Sequence, residues 1–177
     1  LGGNGNEWMN GGDDDDTIIG ADGDDIIGGN AGDDQLFGNL GNDRLIGGKG
    51  NDLTNGGAGN DRYDFYRGDG QDTIVELSGA DSLVFDNTIA NNQLWFSQNG
   101  QSLVISVIGT TDQITVQDWF ASNNNHVEQI KSGGKTLSDT KVQNLVNAMA
   151  SLTPPAQGET TLSANYSAQL SGVIAAN

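Results

Sequence analysis

The sequence predicts an all-β protein, a parallel β-solenoid closed by a small antiparallel β region and one C-terminal helix. Three observations carry this. A nine-residue phrase recurs through residues 2–75, Gly and Asp hold fixed offsets within it, and residues 77–152 change to alternating β sequence ending in an amphipathic stretch. A fixed period of this kind marks units that bury their apolar face only by stacking on copies of themselves.

The phrases run GGNGNEWMN, GGDDDDTII, GADGDDIIG, GNAGDDQLF, GNLGNDRLI, GGKGNDLTN and GGAGNDRYD, then RGDGQDTIV after a slip of two residues, and a degraded ninth, ELSGADSLV. Their frame is G-G-x-G-x-D-x-U-x, with U apolar. The Gly-rich first six positions read as a turn, since Gly enters left-handed conformations at little steric cost. The last three read as a very short strand with its central side chain inward. That inward series is Met9, Ile18, Ile27, Leu36, Leu45, Thr54, Tyr63 and Ile74. Two phrases complete a coil of eighteen residues with a strand on each side. The sixth positions then form two columns, Glu7, Asp25, Asp43 and Asp61 on one edge and Asp16, Asp34, Asp52 and Asp72 on the other, with Asp81 from the ninth phrase beyond Asp61.

Carboxylates stacked about one strand spacing apart, roughly 4.8 Å, repel unless a cation lies between them. Lys and Arg are too few and too irregularly placed to serve. Hard oxygen ligands without His or Cys favour Ca²⁺, which accepts six to eight oxygens in irregular geometry, over Mg²⁺, which demands near-octahedral order. Without cation the stretch reads as a Gly/Asp-rich disordered segment.

The phrase resembles the calcium-binding nonapeptide of the RTX (repeats-in-toxin) proteins. The resemblance implies a right-handed parallel β-roll with Ca²⁺ between successive turns. It implies that each ion takes carbonyls at the second and fourth positions and the sixth carboxylate of one phrase, with carbonyls at the first and third positions and the sixth carboxylate of the next phrase on that edge. Carried onto this chain, one edge has Gly3, Gly5 and Glu7 with Gly20, Asp22 and Asp25; Ala21, Gly23 and Asp25 with Gly38, Leu40 and Asp43; and Asn39, Gly41 and Asp43 with Gly56, Ala58 and Asp61. The other edge has Gly12, Asp14 and Asp16 with Gly29, Ala31 and Asp34; Asn30, Gly32 and Asp34 with Gly47, Lys49 and Asp52; and Gly48, Gly50 and Asp52 with Arg67, Asp69 and Asp72. That makes about six ions, with a weaker seventh joining Asp61 to Asp81. Glu7 in place of Asp and Asp14 in place of Gly mark the two N-terminal sites as the least secure. Thr54 falls where an apolar side chain is expected, leaving Leu53 exposed or the strand locally shifted.

Residues 1–76 hold 17 acidic and 4 basic side chains, a net of −13, and the other 101 residues 7 and 3, a net of −4, which together give the chain's −17. A negative surface of this density excludes nucleic acid and anionic membranes as partners. With no Cys, no disulfide staples the fold, and metal would serve instead. No signal peptide and no membrane-spanning run is legible, and Leu at the first position reads as a fragment or processed piece.

In residues 77–152, LVF (83–85), LWFSQ (94–98), SLVISVI (102–108), QITVQDWF (113–120) and HVEQIKS (126–132) read as short strands in antiparallel hairpins between turn signals. Trp95, Phe96, Trp119 and Phe120 suit a cap over the open end of the solenoid. Ser138 then reads as the N-cap of a helix over 138–150, with Val142, Leu145, Val146 and Met149 on its packed face. This region resembles the one that follows the last repeats in large type I secreted toxins, the adenylate cyclase toxins among them, on RGDGQDTIVE, QLWFSQNGQSLVISVIGTTDQITVQDWF and LVNAMA. Residues 153–177 open with Pro-Pro and read as a flexible tail, where the resemblance implies a type I secretion signal.

No arrangement for catalysis emerges. His126 has no second His and no HExxH context, no Ser sits in a nucleophile-elbow frame, and Gly-rich strings without a βαβ unit carry no dinucleotide signal. The functional expectation is a non-enzymatic module of a secreted bacterial protein, unfolded inside the cell, folded by Ca²⁺ outside it, and exported by type I machinery. A calcium-dependent adhesion or polysaccharide-binding module, or a structural spacer of a giant adhesin, is the alternative. The outward residues Thr17, Ile19, Gln35, Phe37, Arg44, Ile46 and Arg62 make no repeating row that would favour it.

Overall fold

The computed structural model describes residues 1–156 and 158–174. Nine strands build the solenoid: β1 (Trp8–Gly12), β2 (Thr17–Asp22), β3 (Ile26–Ala31), β4 (Gln35–Leu40), β5 (Arg44–Lys49), β6 (Leu53–Ala58), β7 (Arg62–Phe65), β8 (Gln71–Ile74) and β9 (Ser82–Phe85). Odd strands pair in parallel with odd and even with even, so the chain winds between two facing sheets for about four turns. The register is the eighteen-residue coil: Thr17 lies opposite Gln35, Ile26 opposite Arg44, and Gln35 opposite Leu53.

The strands are longer than the phrase suggests. The regular ones have six residues, the last three of one phrase and the first three of the next. The Gly-rich half therefore splits between strand and turn, because the backbone ladder continues past the inward side chain, with Ala21 opposite Asn39 and Asp22 opposite Leu40. The second position bends this extension through positive φ, 85° at Ala21 and 79° at Asn39, and the fourth position completes the turn at φ 133° in Gly41. At Gly41 a Cβ would overlap the Gly23 carbonyl of the coil before, so the position stays Gly wherever a coil precedes it. Asp14 stands at the fourth position of the first coil on its edge, where no earlier coil lies against it, and it does not share the positive φ.

Between the sheets the eighth positions form two stacks, Ile27, Leu45, Tyr63 and Leu83 on one side and Ile18, Leu36, Thr54 and Ile74 on the other, all buried. Thr54 keeps the inward slot: it pairs with Leu36 and Ile74 in unbroken register, and its hydroxyl reaches the Thr73 carbonyl at 3.4 Å. Leu53 stays half-buried on the outer face.

The cap is a continuation of both sheets. Strands β10 (Leu94–Asn99), β11 (Ser102–Val107) and β12 (Gln113–Val116) form antiparallel pairs as expected, but β12 then lies parallel on β8. Likewise β13 (Gln129–Ser132) pairs antiparallel with β14 (Lys135–Ser138) and parallel with β9. Each sheet thus has seven strands among the described residues, and the last coil exposes no unpaired edge to the cap. Trp95, Phe96 and Trp119 are buried there, with Phe120 packed against the same core. Helix α1 (Asp139–Ala150) follows Ser138, whose side chain makes no capping hydrogen bond, and it buries Val142, Leu145, Val146 and Met149. The tail expected to be flexible carries α2 (Ala164–Ile174), with Leu162 and Leu170 buried against the cap; residues 157 and 175–177 of that tail lie outside the described residues. Among the described residues no helix is long and apolar enough to cross a membrane.

Leu45→Ala removes a fully buried side chain from the middle of a stack and is expected to destabilise the folded protein by about 2–5 kcal/mol in urea unfolding. Thr54→Val removes a buried hydroxyl with one long hydrogen bond and keeps the volume; it is expected to be stabilising by about 1 kcal/mol in the same measurement.

Candidate metal centre

The two edges are built from a hydrogen-bonded ladder of carboxylates. The backbone N–H of each sixth-position residue donates to Oδ1 of the sixth-position Asp one coil later: Glu7 to Asp25, Asp25 to Asp43 and Asp43 to Asp61 at 2.8 Å, and Asp61 to Asp81 at 2.6 Å. Opposite, Asp16 donates to Asp34 and Asp34 to Asp52 at 2.8 Å, and Asp52 to Asp72 at 3.1 Å. One oxygen of each carboxylate is thereby consumed.

The other oxygen is the informative one. Oδ2 of Asp25, Asp34, Asp43, Asp52, Asp61 and Asp81 is buried with no hydrogen-bond partner. A buried anionic oxygen left without a partner is strongly unfavourable, so six in regular array point to a bound cation. The first-position Gly shows where it would lie. A Cβ on Gly20 would overlap Asp25 Oδ2 and stand 2.8 Å from the Gly38 carbonyl oxygen, and Gly29, Gly38, Gly47 and Gly56 likewise crowd Oδ2 of Asp34, Asp43, Asp52 and Asp61. Carboxylate of one coil and first-position carbonyl of the next converge on one space, which suits Ca²⁺. Among the described residues no three acidic or His side chains gather as around a metal held by side chains alone. At Gly20, Gly29 and Gly38 the space holds one column carboxylate oxygen and one backbone carbonyl of the next coil.

The sequence-predicted residues fall as follows. The nine sixth-position carboxylates stack in their two columns, but Glu7 and Asp16, first on each edge, are only half-buried. Glu7 turns one oxygen back to the Gly3 N–H at 3.0 Å. The third-position carbonyls of Leu40, Lys49, Ala58 and Asp69 already accept N–H donors from Gly23, Gly32, Gly41 and Gly50, at 2.8, 3.0, 3.0 and 2.7 Å. The Asp61–Asp81 pair, expected to be weak, keeps the ladder bond, but Glu76 takes the place of the first-position Gly and Asp81 Oδ2 lies beside Gly79 instead. His126 stacks on Trp119 at 4.2 Å between ring centroids and sits between the Asp139 carboxylate and the Trp119 carbonyl, a structural setting within the cap.

A second column was not anticipated. The fifth-position side chains run the opposite ladder, each accepting from the fifth-position N–H of the following coil: Asn6 from Asp24, Asp15 from Asp33, Asp24 from Asn42, Asp33 from Asn51, Asn42 from Asn60, and Asn60 from Ala80, at 2.7 to 3.0 Å. The signal was legible, since the fifth residue is Asn or Asp in the first seven phrases. Buried acids at the exit from the solenoid also went unseen. Glu76 accepts the Tyr63 hydroxyl at 2.6 Å, and Asp112 accepts the Gly68 N–H at 2.9 Å, across 44 residues.

Burial pushes these carboxyls upward. Loss of hydration is the main cause, opposed by the ladder hydrogen bonds (for Asp69 by the Tyr66 N–H) and reinforced by neighbouring carboxylates, and it takes Asp43 and Asp52 to about 6, Asp69 and Asp81 to about 7 and Asp72 to about 8. Tyr63, buried beside Glu76, is raised well above its usual range. Carboxyls with raised folded pKa values stabilise the fold below their unfolded value, 3.8 for Asp, and lose that contribution as pH rises through the folded values. Metal-free protein is therefore expected to lose β structure between about pH 4 and pH 8 by circular dichroism, and added Ca²⁺ to restore it at the alkaline end. Asp43→Asn, in the middle of a column, is expected to remove two ions per chain by equilibrium dialysis, and Glu7→Gln at most one.

Comparison with known proteins agrees with this geometry. The family model described as the RTX calcium-binding nonapeptide repeat (4 copies) matches residues 1–36 and 28–63, and that of the haemolysin-type calcium binding protein related domain matches residues 103–139. The fold is similar to the solution structure of a subunit of the mannuronan C5-epimerase of Azotobacter vinelandii, at 24% identity and a TM-score of 0.52 over 86% of this chain and 88% of that one.

Proposed function

Because residues 1–63 are RTX calcium-binding nonapeptide repeats, with a haemolysin-type calcium-binding-related region behind them, we propose that the chain is a Ca²⁺-driven folding switch within a secreted bacterial protein. The observation that carries this reading is the array of six buried, unpartnered Asp oxygens. The folded roll concentrates anionic oxygens that the unfolded chain leaves hydrated, so the ion binds the fold and not the coil and stabilises it by mass action.

Dissociation constants of roughly 10⁻⁴ to 10⁻³ M, typical of extracellular calcium modules, keep such a roll unfolded in a cytosol poor in free Ca²⁺ and fold it outside. An unfolded, self-repelling chain suits passage through a type I exporter, and α2 with the tail around it is the segment we assign to that machinery. Folding then starts at the cap, whose β12 and β13 offer paired edges for β8 and β9, and proceeds back along the roll. These residues form a structural module without catalysis of their own.

A polysaccharide- or surface-binding role draws less support. The outward rows read Thr17, Gln35, Leu53, Thr73 on one sheet and Trp8, Ile26, Arg44, Arg62, Ser82 on the other, without the uniform chemistry a repeating ligand needs.

Titrating the chelated chain with Ca²⁺ is expected to convert a coil spectrum to a β spectrum in one cooperative step near millimolar ion, with Mg²⁺ failing to do so at the same concentration. A full β signal in excess chelator at neutral pH would overturn the proposal.

A further inference from the structure

The free edge within the cap belongs to β10, the outermost strand of its sheet, which has β11 on one side and no strand on the other among the described residues. An uncovered strand edge invites pairing with another chain. Two segments cover this one. From α1, Met149 Sδ accepts the Phe96 N–H at 3.1 Å. From the tail, the Leu162 N–H donates to the Asn92 carbonyl at 2.7 Å and the Thr160 carbonyl accepts from Gln93 Nε2 at 3.1 Å, both at the start of β10.

The tail straddles that edge. Successive side chains of a strand point to opposite faces, so Trp95 and Phe96 look opposite ways. Leu162 lines an apolar cavity with Leu94, Phe96, Leu145 and Met149, whereas the Tyr166 ring meets Trp95 with centroids 6.3 Å apart. Leu162 and Leu170 are buried. The turn between β11 and β12 is shaped for the same segment: Gly109 holds φ 83°, and a Cβ there would stand 2.5 Å from the Glu159 carbonyl oxygen and 3.1 Å from Thr160 Cα. This seat draws on Asn92, Gln93, β10, the β11–β12 turn and α1, which lie side by side only in the folded cap.

The tail has little order of its own to bring. Residues 153–177 carry one charged side chain, Glu159, and α2 has 11 residues. A helix shorter than about 12–15 residues is marginal in water unless it packs on something. We propose that the cap is a clasp for the tail, so that folding of the cap withdraws residues 159–170 from the exporter. The proposal rests on the reading of the tail as the exporter's segment and of the roll as a Ca²⁺-driven fold. A segment engaged as unfolded chain and the same segment seated on β10 exclude each other, so engagement favours the open cap and closure releases the segment. Ca²⁺ acts through the roll: β12 and β13 lie on β8 and β9, and ions that stabilise the last coils stabilise the cap that holds the tail. Closure outside the cell then prevents the segment from being engaged again.

Hydrogen exchange of the whole chain at neutral pH, read segment by segment by mass spectrometry, tests this. In saturating Ca²⁺ the amides of residues 162–170 are expected to exchange far more slowly than in excess chelator, together with those of β6 and α1. Leu170→Ser is expected to speed exchange in the tail severalfold in Ca²⁺ and to leave β6 unchanged. A tail that exchanges at the free-chain rate in Ca²⁺ while β6 is protected overturns the clasp and leaves calcium-driven folding intact, as does an unchanged tail in Leu170→Ser. Protection of the tail in excess chelator overturns the switch, since the segment would be hidden before export. If no segment gains protection with Ca²⁺, the calcium reading falls and the proposal with it. Should Leu170→Ser fail to fold, the unaltered chain with and without the ion decides by the same readout. Secretion of a chain ending at Leu152 from cells carrying a type I exporter overturns the exporter reading, and with it this use of the clasp, even where exchange shows the tail seated.

Discussion

The structure depends on one division of labour within a carboxylate. Asp25, Asp34 and Asp43 each give Oδ1 to the backbone of the coil before and hold Oδ2 beside the first-position carbonyl of the coil after. The first bond fixes register; the second oxygen is left buried without a hydrogen-bond partner. At a spacing of roughly 4.8 Å and an effective dielectric of about 20, adjacent carboxylates repel by on the order of 3 kcal/mol, a sum over two columns that the apolar stacks of one inward residue per phrase do not offset. Glycine at the first position follows from the same constraint, because any Cβ there would fill the space between carboxylate and carbonyl.

The fifth-position ladder balances the sixth. Its bonds run from each coil back to the one before, while the sixth-position bonds run forward, so adjacent turns are tied in both directions at each edge. The backbone groups of these tight turns, which no strand partner reaches, are satisfied by side chains of the neighbouring turn. The result is a solenoid in which turns and strands stack with the same eighteen-residue period, and in which disturbing one rung disturbs both neighbours.

Roll and cap are one continuous pair of sheets. Because β12 and β13 take up parallel places beside β8 and β9, the last coil is closed by strands rather than covered by loops, and the large side chains Trp95, Phe96 and Trp119 sit behind them. The cap has its own antiparallel pairs and α1, and presents β12 and β13 as parallel neighbours to the last strands of the roll.

The sequence by itself determined everything that recurs. Asp25 and Asp43 could be placed in one column, Leu36 and Ile74 in one stack, and Thr54 in the slot between them, because a fixed period converts chain separation directly into spatial register. Val142, Leu145, Val146 and Met149 were legible for a similar reason, since helical spacing is local. The fifth-position Asn and Asp residues were legible but hidden beside the more acidic sixth, and the true length of the strands was hidden because a ladder through positive-φ residues leaves no mark in hydrophobic alternation. What only the tertiary structure decided is the closure. That β12 and β13 run parallel to the roll, that Tyr63 meets Glu76, and that Glu128 accepts the Asp81 N–H all depend on contacts between residues with no periodic relation, and such contacts are set by how whole elements pack rather than by any spacing along the chain.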